Sequence, residues 1–187
     1  MANGTLKVSN IETSSGSGTI TIGQSGETIS IPSGVTQTNI GGLMTPAFQA
    51  RLSDTQSISN GSTTKINFNT EDFDTDSCYD NSSNYRFTPN VAGKYYISVN
   101  ISNDTTSGNH LLTQARIYKN GSSYGYRMIN MSGNPGEAAA VKMDAIITLN
   151  GSSDYVEAYA YSSYNDSGNG QIKADHRSMF FGYKIIE

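Results

Sequence analysis

Lys94-Tyr95-Tyr96-Ile97-Ser98-Val99-Asn100-Ile101-Ser102 is the stretch whose reading decides the fold. Successive side chains of a strand point to opposite faces, so Tyr95, Ile97, Val99 and Ile101 share one face while Tyr96, Ser98, Asn100 and Ser102 share the other. The apolar row marks a core-facing side, and the run predicts a half-buried β-strand. Working outward, the same period recurs. Val156, Ala158 and Ala160 alternate with Tyr155, Glu157, Tyr159 and Tyr161. Asn120-Gly121 separates Ala115-Arg116-Ile117-Tyr118 from Tyr124-Gly125-Tyr126-Arg127-Met128, and Asn-Gly supplies the positive φ angles of a tight hairpin turn. Asn150-Gly151 does the same after Met143 to Leu149. A helical period is nowhere sustained; the clearest helical-looking run, Glu137 to Val141, is short. The chain therefore reads as all-β.

Composition narrows the function classes. A net charge of −4 argues against nucleic acid as partner, because phosphate contacts need a clustered positive surface. With 35% hydrophobic and only 15% charged residues, the remainder is Ser, Thr, Asn and Gly, which does not suit charge-driven disorder. One cysteine, Cys78, excludes an intrachain disulfide framework and a multi-cysteine zinc site. No apolar run reaches the roughly 18 residues of a membrane span, and Met1-Ala2-Asn3-Gly4-Thr5 lacks a basic-then-apolar leader. The expectation is a soluble protein made without a secretory signal, in which the Asn-x-Ser/Thr triplets reflect Asn and Ser abundance.

Two domains are expected. Residues 1–45 hold three short β-branched runs, Leu6-Lys7-Val8, Thr19-Ile20-Thr21-Ile22 and Thr28-Ile29-Ser30-Ile31, too few to enclose a core. This β-rich N-terminal arm is expected to gain its order from another chain. From Pro46 to Glu187 the apolar content rises and turn signals punctuate strands at the spacing of a sandwich.

Chemistry is sparse. His110 and His176 have no ligand-spaced partner and are expected on polar loops. There is no Gly-x-Ser-x-Gly elbow and no phosphate-binding Gly-rich loop, and sequence places no carboxylate pair at the 5–10 Å that glycoside hydrolysis needs. No catalytic and no metal residue is assigned. Glu71-Asp72-Phe73-Asp74-Thr75-Asp76 offers oxygen ligands that calcium could use, but it lacks the turn Gly and distant Glu of a calcium loop and reads as a solvated edge. Three loops rich in Ser, Asn, Asp and Gly, at Asp104 to His110, Ser132 to Gly136 and Ser163 to Gly170, are where a rigid scaffold carries recognition. In the last, Tyr164, Asn165 and Asp166 combine a ring to stack on a sugar with groups to bond its hydroxyls; they form the candidate ligand-binding loop. The tyrosine row at Tyr155, Tyr159 and Tyr161 admits two readings: a surface ladder of cross-strand pairs or a face buried against another subunit. Tyr96 presents the same choice.

The order of motifs resembles the complement component 1q-like globular head, which belongs with the tumour necrosis factor jelly rolls. The resemblance runs through Pro46-Ala47-Phe48-Gln49-Ala50-Arg51-Leu52, Lys65-Ile66-Asn67-Phe68-Asn69, Tyr79-Asp80, Tyr85-Arg86-Phe87-Thr88-Pro89, Ala92 to Val99, Ile117-Tyr118-Lys119-Asn120-Gly121, Leu149 to Val156, and Phe180-Phe181-Gly182-Tyr183-Lys184-Ile185. It departs from that family in the Ser152-Ser153 insertion before Asp154 and in having no collagen-like repeat. The resemblance implies a ten-strand, two-sheet jelly-roll sandwich that assembles as a homotrimer, with Tyr96, Tyr159, Tyr161 and Phe180 at the trimer interface on the inner sheet. Heads of this family sometimes hold calcium near the apex.

The arm is similar to openings of virion structural proteins of tailed, especially marine, bacteriophages. That similarity implies a trimeric tail fibre or appendage, assembled in host cytoplasm and exposed on the particle. The arm would bind other virion proteins, and the head would hold a host-surface glycan or protein receptor. Capsid decoration, or a head fibre without a receptor, is the alternative. A secreted lectin-like or complement-type immune module is a further one, and it would need a signal sequence.

Overall fold

In the computed structural model, which describes residues 11, 18–23, 26, 28, 30, 44–165 and 167–185, the alternation read at Lys94 to Ser102 becomes the middle of a fourteen-residue strand. The chain divides into two units, Met1–Ile40 and Gly41–Glu187. Every strand of the described residues belongs to the second. Of the expected arm, residues 11, 18–23, 26, 28, 30, 44 and 45 are described: Thr19-Ile20-Thr21-Ile22, expected as a β run, is exposed and forms no strand, and Leu6-Lys7-Val8 lies outside the described residues, as does part of Thr28-Ile29-Ser30-Ile31.

The strands are β1 (Ala47–Leu52), β2 (Gln56–Ile58), β3 (Thr63–Lys65), β4 (Thr70–Asp74), β5 (Tyr79–Asp80), β6 (Arg86–Phe87), β7 (Ala92–Thr105), β8 (His110–Lys119), β9 (Ser122–Asn130), β10 (Ala138–Asn150), β11 (Val156–Tyr164), β12 (Gly170–Ile172) and β13 (Asp175–Lys184). They form two antiparallel sheets. The large one runs β2-β12-β7-β13-β1-β4, with β10 on the free edge of β7; the small one runs β5-β6-β11-β8-β9, with β3 also on β11. Thirteen segments stand among the described residues where ten strands were expected, five of them, β2, β3, β5, β6 and β12, only two or three residues long; Gly61, Ser77 and Tyr85, all with positive φ, lie in the connections β2–β3, β4–β5 and β5–β6. Among the described residues there is no helix, and so none long and apolar enough to cross a membrane.

Local signals and topology agree at the β8–β9 hairpin, where Asn120 and Gly121 have φ of 52° and 76°. They part at Glu137 to Val141. From Ala138 the chain pairs with β7 in unbroken register, Ala138 with Asp104 through Asn150 with Ala92. An open β7 edge outweighs the weak helix preference of three alanines.

The core lies between the sheets and is aromatic at its centre. Phe48 of β1 stacks on Phe87 of β6 at 4.4 Å and on Tyr79 of β5 at 4.9 Å, and it meets the edge of Phe180 of β13 at 4.9 Å. The buried hydroxyls find carbonyls: Tyr79 donates to Phe68 at 2.8 Å and Tyr95 to Val91 at 2.6 Å. Burial holds both phenols protonated, Tyr95 being pushed up to about 12. Cys78 is likewise buried, and burial raises its thiol, which fits an inert residue.

Truncating Phe48 removes rings from both sheets' contact at once. Phe48→Ala is expected to cost about 3–5 kcal/mol, read as a lower midpoint in urea unfolding; a loss below 1 kcal/mol would show that the stack is not the centre of the core.

Candidate functional site

The three Ser/Asn/Gly loops meet at one end of the sandwich. Thr106 N–H donates to the Asn169 carbonyl at 3.0 Å, Asn165 N–H to the Asn109 carbonyl at 3.1 Å, and His110 N–H to the Gly136 carbonyl at 2.7 Å. Beneath them lies a buried polar cluster. Asn103 Nδ2 donates to Ser162 Oγ and, at 3.1 Å, to the Tyr164 hydroxyl. Thr113 Oγ1 lies 3.1 Å from His110 Nδ1 and 3.4 Å from Ser162 Oγ. Asn103 Oδ1 accepts from Gln171 N–H at 3.0 Å, tying in β12.

This arrangement corrects the candidate ligand loop. Tyr164 is 5% exposed and packs edge-on against His110 at 4.8 Å, so its ring cannot stack on a sugar. The reason is parity: β11 continues to residue 164, and 164 shares the inward face of Ala158, Ala160 and Ser162. Asn165 is spent on the fold, its Oδ1 accepting from Asn109 N–H at 2.9 Å. Asp166 lies outside the described residues. His110 is fully buried and no loop-surface residue, because it opens β8. His176 is exposed and lies 3.2 Å from Asp72 Oδ2.

Three of the four carboxylates of the acidic run, Asp72, Asp74 and Asp76, are engaged in local structure. Asp72 accepts from Gln49 at 2.7 Å and Arg51 at 3.0 Å, and hydrogen bonding from Gln49 and Arg51 together with His176 holds its carboxyl low despite burial. Asp74 accepts from Tyr79 N–H at 2.8 Å, and Asp76 from Thr75 Oγ1 at 2.7 Å. Among the described residues no three His, Cys, Asp or Glu side chains converge as a metal cage.

The aromatic residues expected at a single interface separate between the core and the outer faces of the two sheets. Phe180 is fully buried against Phe48 and Phe68, inside the chain's own core, and has no side chain to offer a neighbour. Tyr96 is on the outward face of the large sheet, in a register row with Tyr183 of β13 and Ile146 of β10. Its ring is 5.4 Å from Tyr183 and 6.3 Å from Phe181. Tyr159 and Tyr161 are on the outward face of the small sheet, on the other side of the sandwich. Contacts through opposite faces stack copies in a row, whereas a closed ring needs inclined surfaces, so these tyrosines and Tyr96 do not share one interface.

Sequence reading missed Phe181, Tyr183 and Ile146 on the large sheet. Parity in Met179 to Tyr183 was the available signal, since only one of two adjacent phenylalanines can face the core. It also missed Arg116, Tyr118 and Tyr126 on the small sheet, which only strand register places beside Tyr159 and Tyr161.

No protein-family model and no curated protein matches the chain. Solved structures do. The globular domain of zebrafish complement 1qA protein is similar with a TM-score of 0.51 and 17% identity, over 76% of this chain and 98% of that one. Eiger TNF from S. frugiperda is similar with a TM-score of 0.56 and 10% identity, over 75% and 91%. Murine APRIL at pH 5.0 gives 0.54 and 8%, over 74% and 98%. These likenesses show the complement 1q and tumour necrosis factor jelly-roll fold.

Burial lowers the affinity of His110 for a proton below its usual 6.5, against a weaker opposite pull from Asp104. The folded chain then binds fewer protons than the unfolded one, so His110's contribution is complete above pH 6.5 and is lost as pH falls below it. The melting temperature is expected to fall between pH 6.5 and 5, more steeply in the native chain than in His110→Gln. Equal slopes in the two proteins would contradict the buried neutral imidazole.

Proposed function

We propose that this jelly roll is the head of a non-enzymatic homotrimer, a tail fibre or appendage of a phage virion that adheres to the host surface. The observation that carries the assembly is the uncovered outer face of the large sheet. Tyr96, Phe181 and Tyr183 cluster there beside Ile146, which is 58% exposed. Tyr124 of β9 is also exposed, and its hydroxyl donates to the Ile146 carbonyl at 3.3 Å. A contiguous apolar surface of this kind is unusual on a monomer and ordinary at a subunit contact.

The charged groups Lys142 and Asp144 inside the patch are already matched. They pair at 2.9 Å, and the Tyr96 hydroxyl donates to Asp144 at 2.8 Å. Burial against a neighbour would therefore strand no charge. Heads of this fold are typically trimers, which supports a threefold ring over other closed assemblies. The virion reading rests on the resemblance of the arm to phage structural proteins, and the arm would provide attachment. Adhesion, in place of catalysis, agrees with a set of carboxylates engaged in holding loops and strands.

Light scattering of the full chain is expected to give three chain masses, independent of concentration. Ile146→Asp and Tyr183→Asp would each bury an unpaired charge and are expected to weaken assembly at least tenfold, yielding monomers; two variants that remain trimers would remove this face from the interface. For the virion reading, gold-labelled antibody to the head should decorate particles produced by the genome that encodes the chain. Unlabelled particles would overturn it.

A further inference from the structure

The outer face of the small sheet lies on the other side of the sandwich from the proposed subunit contact. Strand register lays its side chains out as a grid. One row reads Lys65, Tyr159, Arg116, Tyr126 across β3, β11, β8 and β9; the next reads Thr63, Tyr161, Gln114, Met128. Tyr118, one row the other way, stacks on Tyr159 at 4.0 Å. The Arg116 guanidinium lies 5.0 Å from the Tyr126 ring centre and 5.6 Å from that of Tyr161, and its Nε donates to Gln114 Oε1 at 2.7 Å. Rings and cation are thus set before any partner arrives, which lowers the ordering cost of binding.

A structural ladder would be finished by covering its edges, yet here the edge is open. Tyr126 is 45% exposed and Met128 53%. The charges are also unbalanced. Lys65 and Glu157 neutralise each other at 2.5 Å, but neither Arg116 nor Arg86, which lies 4.2 Å over the Tyr155 ring, forms an ion pair among the described residues. A local positive excess on a chain of net charge −4 is not a consequence of composition.

We propose that this face is a binding platform for an acidic carbohydrate chain, an inference that rests on the adhesive reading and locates it. The electron-rich face of a tyrosine ring attracts the partly positive C–H groups on the apolar side of a sugar. The Arg116 fork is shaped to take a sugar carboxylate through two parallel N–H donors. The Tyr159–Arg116–Tyr126 row crosses three strands, about 10 Å at the usual inter-strand spacing. It therefore alternates stacking and anion contacts over a short run of sugar rings. A flat, shallow platform suits the side of an extended polysaccharide and gives no grip on a small free anion.

Isothermal titration of the full-length protein with hexagalacturonate, with neutral maltohexaose and with a polyglutamate of equal charge tests the site. Binding to hexagalacturonate alone is expected, weakening as salt rises. Arg116→Ala and Tyr126→Ala should each weaken it at least tenfold. Tyr126→Ala should keep the native melting temperature, and His176→Ala, on the large-sheet side, should keep the native affinity. Equal binding to maltohexaose or to polyglutamate overturns the proposal, as does hexagalacturonate binding that survives both platform substitutions. Trimers that bind no hexagalacturonate overturn this site and leave the assembly standing. Monomers that bind it with the same two losses support the site and overturn only the assembly.

Discussion

Phe48 is held ring to ring by Phe87 and Tyr79 of the small sheet and by Phe180 of its own, and the rest of the molecule is arranged by that clamp. Once Phe48, Tyr95 and Phe180 point inward, the two-residue period of a strand leaves their neighbours no choice. Tyr96 and Phe181 must point outward. The core and the candidate interface are two faces of one constraint, and a one-residue slip in β7 or β13 would exchange them.

The same logic operates on the small sheet. Val156, Ala158 and Ala160 are buried there, and these small side chains let the sheets approach closely. The alternate residues, Tyr159 and Tyr161, are then displayed on the far side. Each sheet thus carries aromatic groups on its outer face in addition to those it buries in the core. The difference lies in the polar company: on the large sheet the charged groups Lys142 and Asp144 neutralise each other, whereas on the small sheet Arg116 is held by an uncharged amide. A face with its charges matched can be covered by a neighbour. A face with a cation left over suits an anionic partner.

The loop end is organised differently, by hydrogen bonds around a buried polar cluster in place of apolar packing. Asn103 illustrates the economy: its amide donates to Ser162 and Tyr164 on the small sheet while its carbonyl receives Gln171 on the large one. Polar groups in such a place are costly unless satisfied, and here they join the two sheets where the hydrophobic core ends. That demand is why Tyr164 and Asn165, whose chemistry suits a ligand, serve the scaffold.

The all-β class, the Asn120-Gly121 hairpin and the inward row of β7 were legible in the chain, because period and turn chemistry are local properties that survive without knowledge of partners. The order of motifs was enough to suggest the jelly roll. Which outward residues lie side by side was not legible. Arg116 is 43 residues from Tyr159 in the chain, and strand register alone makes them neighbours; adjacent Phe180 and Phe181 are sent to opposite sides by the same pleat. Sequence sets the alternation of each strand. Only the pairing of strands brings rings and charges from distant segments together, because their contact is made through backbone hydrogen bonds that any side chain allows.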